Sequence, residues 1–379
     1  MIKTNKVLFL ITEDYYYWMH RRNLALYLRS QGWEVHLATR KGELQKEIQK
    51  EGIFLHPVDI DRKSFNPFLR LKNIFQIASI YKKVNPDIIH HVSIQSIVLG
   101  TYATIFSGHR KILNAYTGLG YIFVGEKFSK KILRWMIVQI LKLAYKLKKP
   151  FSSFENPDDQ KTLIDYKILK EEESIVLPGS GVNVNQFFYS PEVEGKLKVL
   201  LPARLIYDKG IAEFVEAARI LKNKYPQVEF LLAGKLDQSN PTCIPESLLQ
   251  TWQKENILTW LGEVKDMPSL YHSVHIVVLP SYYREGMPMS LAEACACGRA
   301  CVTTNTNGCR EIIKDGENGF LVPVKDSQNL ALAIEKLIIN SDLRKEMGRK
   351  AREIVVCEFN QEIVFTKVEK IYQKLLSKN

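Results

Sequence analysis

One alternation, run through twice, limits what this chain can fold into. Short apolar stretches at residues 7–12, 34–39, 54–60, 87–92, 111–115 and 152–155 are separated by helical stretches near 19–30, 68–84 and 129–148. The rhythm restarts at 198–201 and continues through 228–233, 257–260, 275–279 and 300–304, again with helical stretches between. Near-continuous apolar runs mark strands covered on both faces, as in a parallel sheet flanked by helices. The expected fold class is therefore α/β, with two Rossmann-like doubly wound domains facing across a cleft. Ligands of such sheets bind at the carboxyl ends of the strands.

The length of 379 residues suits two domains. A polar, turn-rich stretch at 187–195 predicts the boundary, giving a first domain over 1–190 and a second over 191–360. A last helix at 361–379 is expected to return to the first domain. Charge separates the halves. Residues 1–190 carry 28 Lys and Arg against 17 Asp and Glu, a net of +11, and residues 191–379 carry 25 against 24, a net of +1. A basic first half attracts anionic lipid, nucleic acid or phosphorylated small molecules. No run of 18 uncharged apolar residues occurs, and the best candidate, 132–147, is interrupted by Arg134, Lys142 and Lys146. Residues 6–11 read as a first core strand and not as a signal peptide. The 6 cysteines form no disulfide framework in a chain of this length, so a cytoplasmic protein is expected.

Chemistry concentrates in two segments of the second half. In the stretch from Leu279 to Gly298, a strand end is followed by a loop with Glu285 and Gly286, then by a helix starting near Pro288. A helix start at a strand's carboxyl end is an anion site suited to a diphosphate. Glu293 lies over a turn further on, along the Ser290–Glu293–Cys297 face. It could accept both hydroxyls of a ribose, while Glu285 could hold sugar hydroxyls or a developing positive centre. The stretch from Val199 to Gly210 puts Arg204 at a strand end and Lys209 before the next helix. Two cations there neutralise the charge that grows on a departing diphosphate. The dinucleotide fingerprint G-x-G-x-x-G and the P-loop are both absent after the first strand, which argues against a dehydrogenase and a P-loop kinase.

Arg-x4-Lys followed by Glu-x7-Glu resembles the donor-site signature of retaining nucleotide-sugar glycosyltransferases of family four, which have the GT-B fold. The segments 179–187, 307–313 and 315–322 resemble further family segments in the family's order, so the likeness spans nearly the whole chain. Trp18-Met19-His20-Arg21 and residues 117–123 resemble the capsule, O-antigen and protein-glycan assembly branch. The resemblance implies transfer of an N-acetylhexosamine or related sugar from a UDP-sugar to a polyprenyl-diphosphate-linked saccharide, with retention. It implies Glu285, Arg204 and Lys209 as catalytic, and Glu293, Gly286, Met287, Pro288, Ser290, Leu291 and Gly181 as donor-binding. Acceptor-side candidates are His20, Thr117, Gly118, Gly120 and His91. No cofactor or metal is expected; the partners are the nucleotide sugar, the lipid-linked acceptor and an anionic membrane surface, without nucleic acid. The enzyme would be cytoplasmic, peripheral on the inner face of the cell membrane. The chain departs from many relatives in its first loop, where Tyr15-Tyr16-Tyr17 replaces a Gly-Gly pair.

Other signals read more plainly. Asp59-Ile60-Asp61 matches a metal-binding D-x-D but lies far from the donor segments, and is expected at a surface or turn. Cys295, Cys297, Cys301 and Cys309 lack zinc-site spacing and are expected to pack. Residues 127–149 hold eight Lys and Arg and no acid among apolar residues at three- and four-residue steps. That is a basic amphipathic helix, either packed with a solvated face or resting on anionic lipid. A UDP-sugar epimerase would need an acid/base pair about the sugar C2, which is not displayed. A phosphorylase could share the fold. A non-catalytic basic adaptor would leave the four donor-side residues unexplained.

Overall fold

The computed structural model describes residues 4–60, 66–120, 123, 128–238 and 240–377. Side chains alternate across a strand, so a buried sheet needs apolar residues at both parities. In β1 (Lys6–Glu13), Val7, Phe9 and Ile11 pack into one core and Leu8 and Leu10 into another. Six more strands join it: β2 (Glu34–Arg40), β3 (Phe54–Pro57), β4 (Ile88–Val92), β5 (Ile112–Tyr116), β6 (Phe151–Phe154) and β7 (Ser174–Val176). All pair in parallel, in the order β3-β2-β1-β4-β5-β6-β7. The second sheet holds β8 (Lys198–Pro202), β9 (Glu229–Ala233), β10 (Thr259–Trp260), β11 (Ile276–Leu279), β12 (Ala300–Thr304) and β13 (Gly319–Val322). It is also parallel, in the order β10-β9-β8-β11-β12-β13. Both sheets are doubly wound, with the order reversing beside the first strand of each.

The expected helix over 19–30 is two helices, Asp14–His20 and Arg22–Ser30. They break at Arg21 (φ −130°), whose buried guanidinium donates to the His20 carbonyl at 3.0 Å. The strands β7 and β13 carry no clear sequence signal. β7 is three half-buried residues, too short to show a period. β13 opens on Gly319, where a Cβ would lie 2.3 Å from the Cys301 carbonyl oxygen.

The chain divides into two units, Met1–Ser180 with Ile363–Asn379, and Gly181–Glu362. The helix Gln361–Ser377 buries Val364, Phe365, Val368, Ile371, Tyr372 and Leu375 in the core that holds Val7 and Phe9. The first crossing therefore precedes the boundary expected at 190. The polar stretch that reads as a linker is fastened to the second unit by two buried arginines. Arg299 donates to the Ser190 hydroxyl at 2.9 Å and to the Pro191 carbonyl at 3.4 Å. Arg344 forms a two-pronged ion pair with Glu192 at 2.8 and 2.9 Å. Both side chains of that pair are nearly fully buried, at 7% and 9% exposure.

Removing one partner of such a pair strands the other charge away from water. Arg344→Ala is expected to lower the unfolding free energy by about 3–5 kcal/mol. Urea denaturation checks it, and adding Glu192→Ala should recover part of the loss.

Candidate functional site

In the second sheet the order reverses between β8 and β11, and the chemistry-bearing loops leave the carboxyl ends of those strands and of β9. The loop after β8 tightens into a turn at Tyr207–Lys209 and ends at Gly210, with φ +75°. A Cβ on Gly210 would lie 2.1 Å from the Pro280 carbonyl oxygen, so only glycine lets this turn sit against the end of β11. The Asp208 carbonyl then accepts the amides of Tyr282 and Tyr283 at 3.0 and 3.1 Å. These bonds hold the two loops together.

Across that join, Lys209 Nζ meets Glu285 Oε1 at 2.5 Å, with 13% and 10% of the side chains exposed. The buried Ser281 hydroxyl donates to the same Glu285 oxygen at 2.8 Å, and Lys209 Nζ lies 5.8 Å from the Tyr283 ring centre. Arg204 is half-exposed and pairs with Asp237, on the loop after β9, at 2.9 Å. The two cations expected beside a diphosphate are thus each matched with a carboxylate from a neighbouring strand end.

After Glu285, the residues Gly286, Met287 and Pro288 are buried and lead into the helix Met289–Ala296. Pro288, just before the helix, has no side-chain acceptor to cap it. The Gly286 carbonyl is packed by Gly308, where a Cβ would lie 2.0 Å away. Ser290 is half-buried at the helix start. Leu291 does not fit its expected donor role through either group. Its side chain is fully buried in the core, and its amide donates to the Pro288 carbonyl at 3.1 Å. Gly181 (φ +69°) opens the second unit, just before Val182, whose amide donates to the Phe359 carbonyl at 2.7 Å.

Glu293 lies one turn into the helix and is partly buried, with Tyr271 Oη 3.3 Å from Oε2. Burial raises its pKa to about 7, against the smaller lowering effect of the Tyr271 hydrogen bond. Sequence reasoning missed Asp237, Ser281 and Tyr271. The first was detectable as a polar turn closing a strand; the other two are defined only by what they touch.

In the first unit, His20 lies beside Arg21, and both line a small pocket with His90, Ser153 and Glu155. Arg21 Nε and His90 Nε2 are buried there without a hydrogen-bond partner. Thr117, Gly118 and Gly120 lie on the loop after β5, whose end residues Ala115 and Tyr116 line the same pocket. Gly118 and Gly120 have φ of +103° and +69°, which other residues adopt at a cost. The neighbouring stretch 121–122 and 124–127 lies outside the described residues. His91 is a correction. It is fully buried, with Nε2 2.9 Å from Tyr81 Oη and Nδ1 2.7 Å from Asn114 Oδ1. Burial lowers its pKa to about 4, so it is a neutral core residue and not an acceptor-side group. Asp59 is exposed, and Asp61 lies outside the described residues. Cys295, Cys297, Cys301 and Cys309 are fully buried in one core of the second unit.

Residues 184–354 match the family model for glycosyl transferases group 1, and residues 6–149 match that for glycosyl transferase 4-like proteins. This chain belongs to the group 1 glycosyltransferases. It is 28% identical over 356 residues to the N,N'-diacetylbacillosaminyl-diphospho-undecaprenol alpha-1,3-N-acetylgalactosaminyltransferase of Campylobacter jejuni, covering 90% of this chain and 92% of the relative. It is 24% identical over 316 residues to an Escherichia coli UDP-Gal:alpha-D-GlcNAc-diphosphoundecaprenol alpha-1,3-galactosyltransferase, covering 79% and 78%. Among solved structures it resembles sucrose-phosphate synthase from Thermosynechococcus elongatus, with a TM-score of 0.82, 21% identity and coverage of 99% and 100%. It also resembles Anabaena HepE in complex with UDP and glucose, with a TM-score of 0.79, 17% identity and coverage of 98% and 100%. The fold of this glycosyltransferase is GT-B.

Glu293 gives this glycosyltransferase a pH signature. Its folded pKa of about 7 exceeds the ordinary 4.5, so the native state holds a proton that the unfolded state has lost between those values. Its stability contribution is full below 4.5 and is lost as pH rises through about 7. The full shift corresponds to about 3 kcal/mol, and partial exposure reduces it to about 1–2 kcal/mol. Glu293→Gln is therefore expected to gain stability over wild type at pH 8 but not at pH 4. Urea unfolding at the two pH values measures the difference.

Proposed function

We propose that this glycosyltransferase moves a sugar, an N-acetylhexosamine or a related hexose, from a UDP-sugar to a polyprenyl-diphosphate-linked saccharide during bacterial surface-glycan assembly, with retention at the anomeric carbon. The observation that carries the reading is the buried Lys209–Glu285 pair, anchored by Ser281 beside the helix that bears Glu293. The Campylobacter and Escherichia relatives, whose names specify diphospho-undecaprenol-linked acceptors, support the acceptor class.

In this reading Glu293 accepts the ribose hydroxyls, and the donor diphosphate lies at the start of the 289–296 helix. Lys209 and Arg204 exchange part of their carboxylate pairing for phosphate oxygens. As the bond from the anomeric carbon to the β-phosphate oxygen breaks, the two cations offset the charge collecting on that phosphate. The acceptor oxygen bonds to the anomeric carbon on the face the phosphate leaves. Its proton passes to a β-phosphate oxygen, so no protein nucleophile is required. Glu285, released from Lys209 but still held by Ser281, holds sugar hydroxyls and faces the positive charge developing on the ring.

Charge favours a site of work at the cytoplasmic face of the membrane. No described helix is long and apolar enough to cross a bilayer. The basic helix Phe128–Lys148 supplies cations suited to anionic lipid.

Because the cations act most as the diphosphate leaves, Lys209→Ala is expected to reduce kcat by about 100-fold or more while changing KM for the donor far less. Steady-state kinetics with a UDP-sugar and a synthetic lipid-diphosphate acceptor measure both. A change confined to KM would remove Lys209 from the leaving-group role. The same assay is expected to be insensitive to EDTA, since the cations do what a metal would; rescue by manganese after EDTA would overturn that.

A further inference from the structure

A helix on the outside of a doubly wound sheet normally buries one apolar stripe and shows water a polar one. The helix Phe128–Lys148 does not. Its inner side buries Val138, Leu141, Ala144 and Tyr145, while Ile132, Trp135, Met136, Ile140, Leu143 and Leu147 are exposed, Trp135 by 64%. Two neighbouring helices extend the outer surface. The helix Pro67–Val84 exposes Phe68 (81%), Leu71 and Phe75, and Ile94–Ser107 exposes Phe106. Phe75 and Phe106 are in ring contact at 4.9 Å, and Tyr102 Oη donates to the Ile140 carbonyl at 3.0 Å, so the three helices form one continuous face.

The charge of this face is one-sided. None of the three helices contains an Asp or Glu, whereas Arg70, Lys72, Lys82 and Lys83 lie on the first, and Lys131, Arg134, Lys142, Lys146 and Lys148 on the third. Contiguous exposed apolar patches rimmed by polar residues mark interaction sites. Protein partners are met by rims of both signs; a face that is apolar, aromatic and purely basic complements an anionic bilayer, with its hydrocarbon below and its phosphates above.

We infer that this three-helix face inserts into an anionic membrane, with Phe68, Leu71, Phe75 and Phe106 forming an apolar ridge that penetrates below the headgroups and the exposed Trp135 entering the same interface. This deepens the membrane reading above from surface attraction to insertion, and it rests on that reading. Attraction alone disappears when salt shortens the Debye length to about 3 Å at 1 M, whereas inserted apolar surface stays buried.

The test uses the full chain with sedimented vesicles of phosphatidylcholine and phosphatidylglycerol at 0.1 and 1 M NaCl, with tryptophan fluorescence against brominated acyl chains compared between wild type and Trp135→Phe, since the chain holds 5 tryptophans. Wild type is expected to remain substantially bound at 1 M salt and to show quenching. Phe68→Ser/Phe75→Ser is expected to bind at 0.1 M but to lose about tenfold or more of its partitioning at 1 M. Lys131→Glu/Lys142→Glu/Lys146→Glu should instead lose binding at 0.1 M. Circular dichroism and UDP affinity confirm that each variant is folded. Full release of wild type at 1 M salt, or a ridge variant indistinguishable from wild type, overturns insertion while leaving surface attraction standing. No vesicle binding by wild type at either salt overturns both. A ridge-dependent dimer in light scattering, without vesicle binding, would assign the face to a second copy of the chain.

Discussion

The parallel pairing of β8 with β11 is the constraint on which the candidate site depends. Neighbours in space but not in sequence, these strands release their loops at one point of the sheet edge, where the strand order reverses. Gly210 lets the first loop touch the Pro280 carbonyl, and the Asp208 carbonyl accepts two amides of the second. Only then do Lys209 and Glu285 meet. A lysine and a glutamate this well buried would be costly apart, and their pairing offsets that cost. The site is stabilised by the same pairing that a diphosphate would have to loosen.

The two units solve one packing problem with different charge. Both bury apolar side chains on both sheet faces and cover them with helices. The second unit keeps its outer surface nearly neutral and spends its buried charge on fastening, as Arg299 and Arg344 do for the 190–192 segment. The first unit carries the excess positive charge and leaves a broad apolar face uncovered on three adjacent helices. It also borrows the last helix of the chain to close its other face, with Tyr372 reaching the buried His90 at 2.6 Å.

Much of this was legible in the sequence because its causes are local. Parallel strands covered on both sides must be apolar at both parities, and that pattern is visible in a single run such as 6–11. A glycine after a helix, a proline before one, and carboxylates eight residues apart are likewise local facts. The misreadings have a shared origin. Residues 187–195 have the composition of a linker, but arginines about a hundred and more residues away pin them down. His91 is an acceptor-side candidate by resemblance, yet Tyr81 and Asn114 from other elements enclose it. The three- and four-residue steps of the basic helix do not tell which apolar residues face the core, and both of its sides carry them.

By itself the sequence determined the α/β class, the doubling of the unit, the charge difference between halves, and the glycosyltransferase-like segments of the second half. These follow from periodicity and from side-chain type, which each residue carries wherever it lies. Tertiary structure alone decided which carboxylate each cation meets, that Glu293 lies where burial lifts its pKa to about 7, that His91 is core, and that one helix is apolar on its outer side as well. The reason is physical: pairing, desolvation and exposure are properties of neighbours, and in a parallel sheet the neighbours arrive by crossovers from distant parts of the chain.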